Sequence, residues 1–334
     1  MSKWEKILDE LQAFVKKRIS LNRLNDLTID TLHGSMYGLN HRYMSLESSL
    51  SKDFKNIIAY SIKRIKCIIE IPAVTFRPCP LPNIRHVGYG TYGWKYHPEL
   101  IKMASQKRIL IDTAEGYGYG RVEEKIGQII SSEKITPLIT TKVSRSHMSS
   151  KAIKAAAERS RNRMGVTFHY QLHFPNNKQT DEQLGRTLVS LRRTGVIMSI
   201  GLGNCSVDMI ESMQSFLSDY SGDVIRSVQV EYNLINRRIE KVLLPYCQLR
   251  GILVIAYSPL GQKFSKLYRP ILDTIGKQYK CTAAQVALAW ILRYKGIIPI
   301  PRTNNLKHMI DNINAINIKL DKKRIENLNQ EYNA

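Results

Sequence analysis

The chain has 334 residues, 43% of them hydrophobic and 8% aromatic, enough to bury a sizeable core and too apolar for global disorder. Fifty Lys and Arg against 28 Asp and Glu give a formal charge of +22, which raises the local concentration of anionic partners. The cations are spread along the chain, with no run of five or six and no interleaved aromatics for stacking bases, so a nucleic-acid partner is not expected.

Residues 1 to 80 read as a helical extension. Trp4, Ile7, Leu8, Leu11, Phe14 and Val15 recur at helical spacing, and residues 45 to 70 carry a second, less regular helical pattern. The acids in MSKWEKILDELQ leave no apolar stretch of the kind a signal peptide needs. RPCPLPN then breaks any regular element and sets a boundary near 76 to 84. The extension is expected to cap the rest of the chain or to bind a partner or a second copy.

From there short apolar strands alternate with helix-period segments. The expected strands are 86 to 91, 109 to 113, 138 to 143, 169 to 174, 199 to 204, 227 to 232, 252 to 257 and 296 to 301. Thr180 with Gln183 and Thr282 with Gln285 fit capping boxes, and Leu184, Leu188 and Leu191 share one helix face. Eight strand–helix units over residues 85 to 334 predict an α/β chain folded as a closed (β/α)8, or TIM, barrel. GYGTYG after the first strand lacks the GxGxxG spacing of a doubly wound dinucleotide fold.

Cys67, Cys79, Cys205, Cys247 and Cys281 are an odd set without metal-ligand spacing, which predicts free thiols in a reducing compartment and no metal. No apolar run approaches the ~18 residues of a membrane span, so a cytoplasmic protein is expected.

In such a barrel, loops from every unit converge at the C-terminal strand ends. Those ends carry Thr91 and Tyr92, Asp112, Lys142, His173, Asn204, Gln229 or Tyr232, Tyr257, and Arg302. Asp112, Tyr117, Lys142 and His173 form a chemically coherent set. A tyrosine donates a proton readily only if its phenolate is stabilised, a neighbouring ammonium does that, and a carboxylate offsets the cost of burying the ammonium. The histidine could orient a carbonyl or share the proton transfer. Such a group suits proton delivery to a carbonyl oxygen, with a nicotinamide as hydride source.

The stretches GYGTYGW, LIDTAEGYG, ITTKV, YQLHFP, SIGLGNCS, VQVEYNLINR, VIAYSPLG, AAQVALAWIL and IPIPRTNNLKHMIDN, in this order over about 86 to 328, resemble the aldo-keto reductases. The resemblance implies NADPH-dependent reduction of an aldehyde or ketone, or the reverse oxidation, with NADH possible as cofactor. It makes Tyr117 the general acid, Asp112 and Lys142 its partners and His173 the substrate-orienting group, with the nearby Tyr119 a loop side chain. It places Thr91, Tyr92, Asn204 and Gln229 around the nicotinamide, Tyr257 stacked on it, and Ser258 and Leu260 beside it. Arg302, Thr303, Asn304, His308, Asp311 and Asn312 fall at the adenosine and 2′-phosphate site.

The sequence departs from the family at Gly203, where a serine is common, and at Asn304 and His308, where basic residues are frequent. The short segments 175 to 180 and 261 to 268, with a short tail after about 328, imply an open pocket for a sugar-like or bulky carbonyl compound. A cofactor-sensing regulatory subunit is the alternative.

Overall fold

The computed structural model describes residues 87–175, 180–261 and 269–332. The helical readings and the boundary within the first 84 residues lie outside that set, as do most of the two segments expected to shape the substrate pocket.

Eight parallel strands form one sheet, each hydrogen-bonded to its sequence neighbour. They are β1 (Tyr89–Gly90), β2 (Ile111–Asp112), β3 (Ile139–Val143), β4 (Phe168–Leu172), β5 (Ile197–Gly203), β6 (Ile225–Glu231), β7 (Leu253–Tyr257) and β8 (Ile297–Pro299). The first and last edges meet: the Gly88 amide donates to the Pro299 carbonyl at 2.8 Å and the Gly90 amide to Pro301 at 3.1 Å. Glycine is required for that approach, since a Cβ at Gly88 would lie 2.7 Å from Ile300 Cγ2 and one at Gly90 2.9 Å from the Ile300 carbonyl oxygen. The sheet is therefore a closed barrel.

All eight expected strands are present, with shifted ends. β1 and β2 are two residues each, shorter than their apolar stretches, and β4 stops at Leu172, leaving His173 on the loop beyond it. The helices are α1 (Pro98–Gln106), α2 (Arg121–Glu133), α3 (Ser150–Met164), α4 (Asp181–Arg193), α5 (Val207–Ser221), α6 (Leu243–Arg250), α7 (Arg269–Tyr279), α8 (Ala283–Ile291), α9 (Leu306–Asn314) and α10 (Lys322–Glu331). Both expected capping boxes form, Thr180–Gln183 opening α4 and Thr282–Gln285 opening α8. Leu184, Leu188 and Leu191 are buried together on α4.

Strand residues alternate between the helix layer and the barrel interior. Tyr170, Leu172, Ile200, Leu202, Val228, Val230 and Val254 belong to the large core shared with the helices. Leu110, Ile255, Ile298 and Ile300 form a separate apolar cluster inside. The interior positions of β3 to β6 are polar instead: Lys142, His169, Gln171, Ser199, Ser227 and Gln229 are all buried. Polar groups in a core need partners, and these find them in one another along the interior, up to Asp112 at the end of β2.

Helix packing depends on Gly127, where a Cβ would lie 1.8 Å from the Arg163 carbonyl oxygen of α3. Gly127→Ala is expected to destabilise the fold by about 3 kcal/mol through overpacking against fixed backbone. Gly116→Ala, at φ −76° and with nothing within 4 Å of the added carbon, is expected to be near neutral. Urea unfolding of the two variants checks this; similar midpoints for both would contradict it.

Candidate active site

Neighbouring strands bring Asp112 and Lys142 together. The Lys142 ammonium donates to Asp112 Oδ1 at 2.7 Å and to the Thr113 carbonyl at 2.6 Å. The paired side chains are 1% and 3% exposed, so water contributes little to solvating either charge. Desolvation pulls the Lys142 pKa down from its ordinary value, opposed by the charge and hydrogen bond of Asp112 and by the charge of Glu123. Asp112 Oδ1 takes a second donor, the Gln229 amide at 2.7 Å.

After β2 the chain turns through Ala114 to Gly120. The Tyr117 amide donates to the Ala114 carbonyl at 3.0 Å, and Gly118 adopts a φ of +58°, which lets the loop fold back over the strand end. Gly116 keeps an ordinary helical conformation, so the turn does not use its freedom. Tyr117 is half-buried, its ring centroid 5.4 Å from Lys142 Nζ and 6.4 Å from the His173 ring. Tyr119 points away and is 95% exposed, as expected of a loop side chain.

The expected lowering of the tyrosine pKa is not what this geometry gives. Burial pushes the Tyr117 hydroxyl up, and the charge of Asp112 pushes it further, with smaller contributions from Tyr92 and Tyr257. The Lys142 ammonium is turned to Asp112 and Thr113, so Tyr117 is held protonated.

His173 is pushed down to about 4 by burial and by the charge of Lys142, so its imidazole is neutral at ordinary pH. The backbone of β4 continues to it, its amide donating to the Val143 carbonyl at 3.2 Å, while its carbonyl accepts from Asn204 Nδ2 at 3.1 Å. Asn204, at φ +51°, accepts from the Tyr257 hydroxyl at 3.0 Å. His173, Asn204 and Tyr257 are thus linked along one side of the mouth. Tyr92 packs edge-on against Tyr117 at 5.3 Å and is 74% exposed.

Two other expected cofactor contacts face inward. The Thr91 hydroxyl is fully buried and donates to the Asp112 carbonyl at 2.9 Å. Gln229 Nε2 is shared between Asp112 and Gln171 Oε1, the latter at 3.1 Å, so both its protons are engaged within the barrel. Ser258 takes a φ of +46°, and its carbonyl is held by Asn233 Nδ2 at 3.0 Å, with Leu260 part-buried at the edge of the core.

The loop after β8 leads into the side-chain-capped N-terminus of α9. The Asn305 side chain caps α9 by accepting from the His308 amide at 3.1 Å, and Thr303 Oγ1 accepts from the Asn305 amide at 3.0 Å. Arg302 is exposed and spends one guanidinium nitrogen on the Gly93 carbonyl at 2.5 Å. Asn304 Oδ1 accepts from the Lys95 amide at 3.1 Å. His308 is exposed on the first turn of α9, Asp311 is half-buried, and Asn312 is buried beneath it. A guanidinium and a helix N-terminus are the groups that receive a phosphate, so the donor set fits a phosphorylated cofactor.

The sequence reading overlooked several buried groups. Glu115, 6% exposed, accepts from the Ser144 amide at 2.7 Å and is paired with His147 at 2.8 Å and Arg159 at 3.2 Å, tying the loops after β2 and β3 together. Gln171, Ser227 and His169 line the interior below Asp112. A polar residue at alternate positions of an otherwise apolar strand, HYQLH, was the available signal. Among the described residues no group of His, Cys, Asp and Glu could hold a metal, and no helix is long and apolar enough to cross a membrane.

A sequence model of the aldo/keto reductase family matches residues 100–333. The methylglyoxal reductase YeaE of Escherichia coli is 28% identical over 231 residues, covering 67% of this chain and 80% of its own. The uncharacterized oxidoreductase YtbE of Bacillus subtilis is 31% identical over 230 residues, 66% of this chain and 79% of its own. Among solved structures, the thermostable aldo-keto reductase Tm1743 superposes with a TM-score of 0.66 at 30% identity, over 74% of this chain and 94% of its own. An aldo-keto reductase from Klebsiella pneumoniae in complex with NADP and acetate gives 0.65 at 27% identity, over 75% and 91%.

The histidines set a pH dependence of stability. The folded value of His173, about 4, lies below its ordinary 6.5, and His169 is pushed lower still, to about 3. Below pH 6.5 the unfolded chain takes up protons that the folded sites refuse, so stability falls as pH drops toward the folded values. Thermal melting should decline from about pH 6.5 to 4 in the wild type and less steeply in His173→Asn. Equal slopes in the two proteins would contradict the assignment.

Proposed function

The chain belongs to the aldo/keto reductase family, and we propose that it uses NADPH to reduce an aldehyde or ketone, with Tyr117 delivering the proton, or runs the reverse alcohol oxidation. The observation that carries this reading is the buried Lys142–Asp112 pair beside the protonated Tyr117, with neutral His173 across the mouth.

When bound, reduced nicotinamide supplies a hydride to the carbonyl carbon. Tyr117 gives its hydroxyl proton to the carbonyl oxygen as negative charge develops there. Its own resting pKa is too high for easy release, so the phenolate left behind needs a compensating charge within the site. The Lys142 ammonium supplies that charge, and Asp112 keeps it ionised despite its burial. His173, being neutral, offers a ring N–H to orient the carbonyl without competing with Lys142 for a proton. Solvent then reprotonates Tyr117.

The cofactor reading rests on the donor set at the barrel mouth. Asn204 would grip the carboxamide, with Gln229 and Thr91 supporting that position from the interior through Asp112, and the half-buried Tyr257 offers a ring face. Tyr92, Ser258 and Leu260 flank that position. Arg302, Thr303, Asn304 and the first turns of α9, with His308, Asp311 and Asn312, take the adenosine and its 2′-phosphate. Solved relatives hold NADP or NADPH, which supports NADPH as the cofactor with NADH the weaker ligand. The exposed Tyr92 and the 39%-exposed Phe174 leave a wide rim suited to a sugar-like or bulky carbonyl compound.

NADPH oxidation with a panel of carbonyl compounds tests the mechanism. Tyr117→Phe should lower kcat about a thousandfold, the usual worth of a positioned general acid, while Tyr119→Phe should stay near wild type. Equal rates in wild type and Tyr117→Phe would remove the mechanism; small aromatic aldehydes far outpacing every sugar and polar ketone would remove the substrate class. In fluorescence titrations Arg302→Met should weaken NADPH about tenfold, the worth of one charge-assisted contact, and leave NADH unchanged. Equal weakening of both would move the 2′-phosphate elsewhere.

A further inference from the structure

The active-site pair is the upper end of a buried chain of hydrogen bonds that runs down the barrel interior. Gln229 Nε2 donates to Asp112 Oδ1 at 2.7 Å and to Gln171 Oε1 at 3.1 Å; Gln171 Nε2 donates to Ser227 Oγ at 2.8 Å. Ser227 Oγ is 2.6 Å from His169 Nε2, and His169 Nδ1 is 2.7 Å from Ser199 Oγ. Every member is 4% exposed or less. The residues come from β2, β4, β5 and β6, so the chain crosses half the barrel. Gly201 leaves the room for it: a Cβ there would lie 2.4 Å from His169 Nε2, 2.6 Å from Ser227 Oγ and 2.9 Å from Gln171 Cγ.

The direction of this chain is fixed from its top. An ionised carboxylate has only acceptors, so Asp112 admits only the NH2 end of Gln229. The second Gln229 proton then selects the oxygen end of Gln171, which turns the Gln171 NH2 toward Ser227. His169 is neutral, pushed down to about 3 by burial and by the charges of Lys142 and Arg226. Ser227, having accepted from Gln171, gives its own proton to His169 Nε2, and Nδ1–H goes to Ser199. No member other than Asp112 carries a charge, so the chain orients the carboxylate without competing with Lys142 for it.

Lys142 and Gln171 are register partners on β3 and β4, yet they do not bond to each other. Both reach Asp112, Lys142 directly and Gln171 through Gln229. We propose that Gln171 is a positioning residue for proton delivery: by accepting from Gln229 it holds that amide against Asp112 and so fixes the carboxylate where it keeps the Lys142 ammonium beside Tyr117. This rests on the carbonyl-reducing reading of the site. Without Gln171, Gln229 loses the acceptor for its second proton and is free to swing off Asp112.

The full-length Gln171→Met protein, which keeps the side chain's length and removes its hydrogen bonds, tests this. Its single-turnover rate of carbonyl reduction should fall about tenfold, the worth of one hydrogen bond to a charged group, while its NADPH dissociation constant stays within about twofold. A wild-type rate, or a loss of rate and cofactor affinity in equal proportion, overturns the proposal. Ser227→Ala, which strips the far acceptor from Gln171 and leaves the upper bonds, should lower the rate in the same direction by less; it decides the matter if Gln171→Met does not fold, and an unchanged rate there overturns it. If wild type reduces no carbonyl compound, the functional reading falls separately. A crystal structure of either variant then decides the positioning role: Gln229 displaced from Asp112 supports it, and Gln229 retained on Asp112 Oδ1 overturns it.

Discussion

A lysine ammonium removed from water is the constraint around which this barrel is built. Lys142 is 1% exposed, and a charge buried that deeply survives only with a partner and satisfied hydrogens. Asp112 supplies the charge and the Thr113 carbonyl a second acceptor, both from the adjoining strand. Breaking such a pair from one side typically costs about 3–5 kcal/mol, so this contact also helps hold β2 beside β3. Thr91 fastens to the Asp112 carbonyl from β1, and Gln229 reaches it from β6 across the barrel.

That contact also explains the interior. A (β/α)8 barrel is ordinarily filled by branched aliphatic side chains. Here β7, β8 and the residues flanking β2 and β8 follow the rule with Ile255, Ile298, Leu110 and Ile300, whereas β4 to β6 carry amides, hydroxyls and a neutral imidazole. The polar half reaches the pair through one donor, Gln229. The apolar half lies where β1 closes against β8. One barrel interior thus holds a polar and an apolar side, and Tyr257 and Asn204 are bonded to each other at its mouth.

Much of this was legible in the sequence. The strand–helix rhythm gave eight strands, the Thr–Gln spacing gave two capping boxes, and a charge ending an apolar strand gave Asp112 with Lys142 opposite. These are local patterns with local causes. The strand ends were less legible: regular β4 geometry ends at Leu172 although the His173 amide still pairs with the Val143 carbonyl, which puts His173 at the start of the loop. The direction of the Tyr117 pKa shift was hidden for a related reason: spacing shows that a cation is near, but only coordinates show that its hydrogens are engaged by Asp112 and Thr113 and that burial prevails. The chain through Gln171, Ser227 and His169 joins residues 58 positions apart and was hidden in strands that read as ordinary core. The departures at Asn304 and His308 carried no geometric content until Arg302 and the cap on α9 were seen beside them.

The central claim is hydride transfer to a carbonyl at the mouth of this barrel, and isotope transfer tests it most directly. NADPH carrying deuterium on both C4 positions of the nicotinamide would be incubated with the wild-type protein and an accepted carbonyl substrate, and the alcohol examined by mass spectrometry. The account predicts one deuterium per product molecule, on the carbinol carbon, with the hydroxyl proton exchanging with solvent. Alcohol formed without that deuterium, or cofactor bound with no alcohol formed from any aldehyde or ketone, would contradict it.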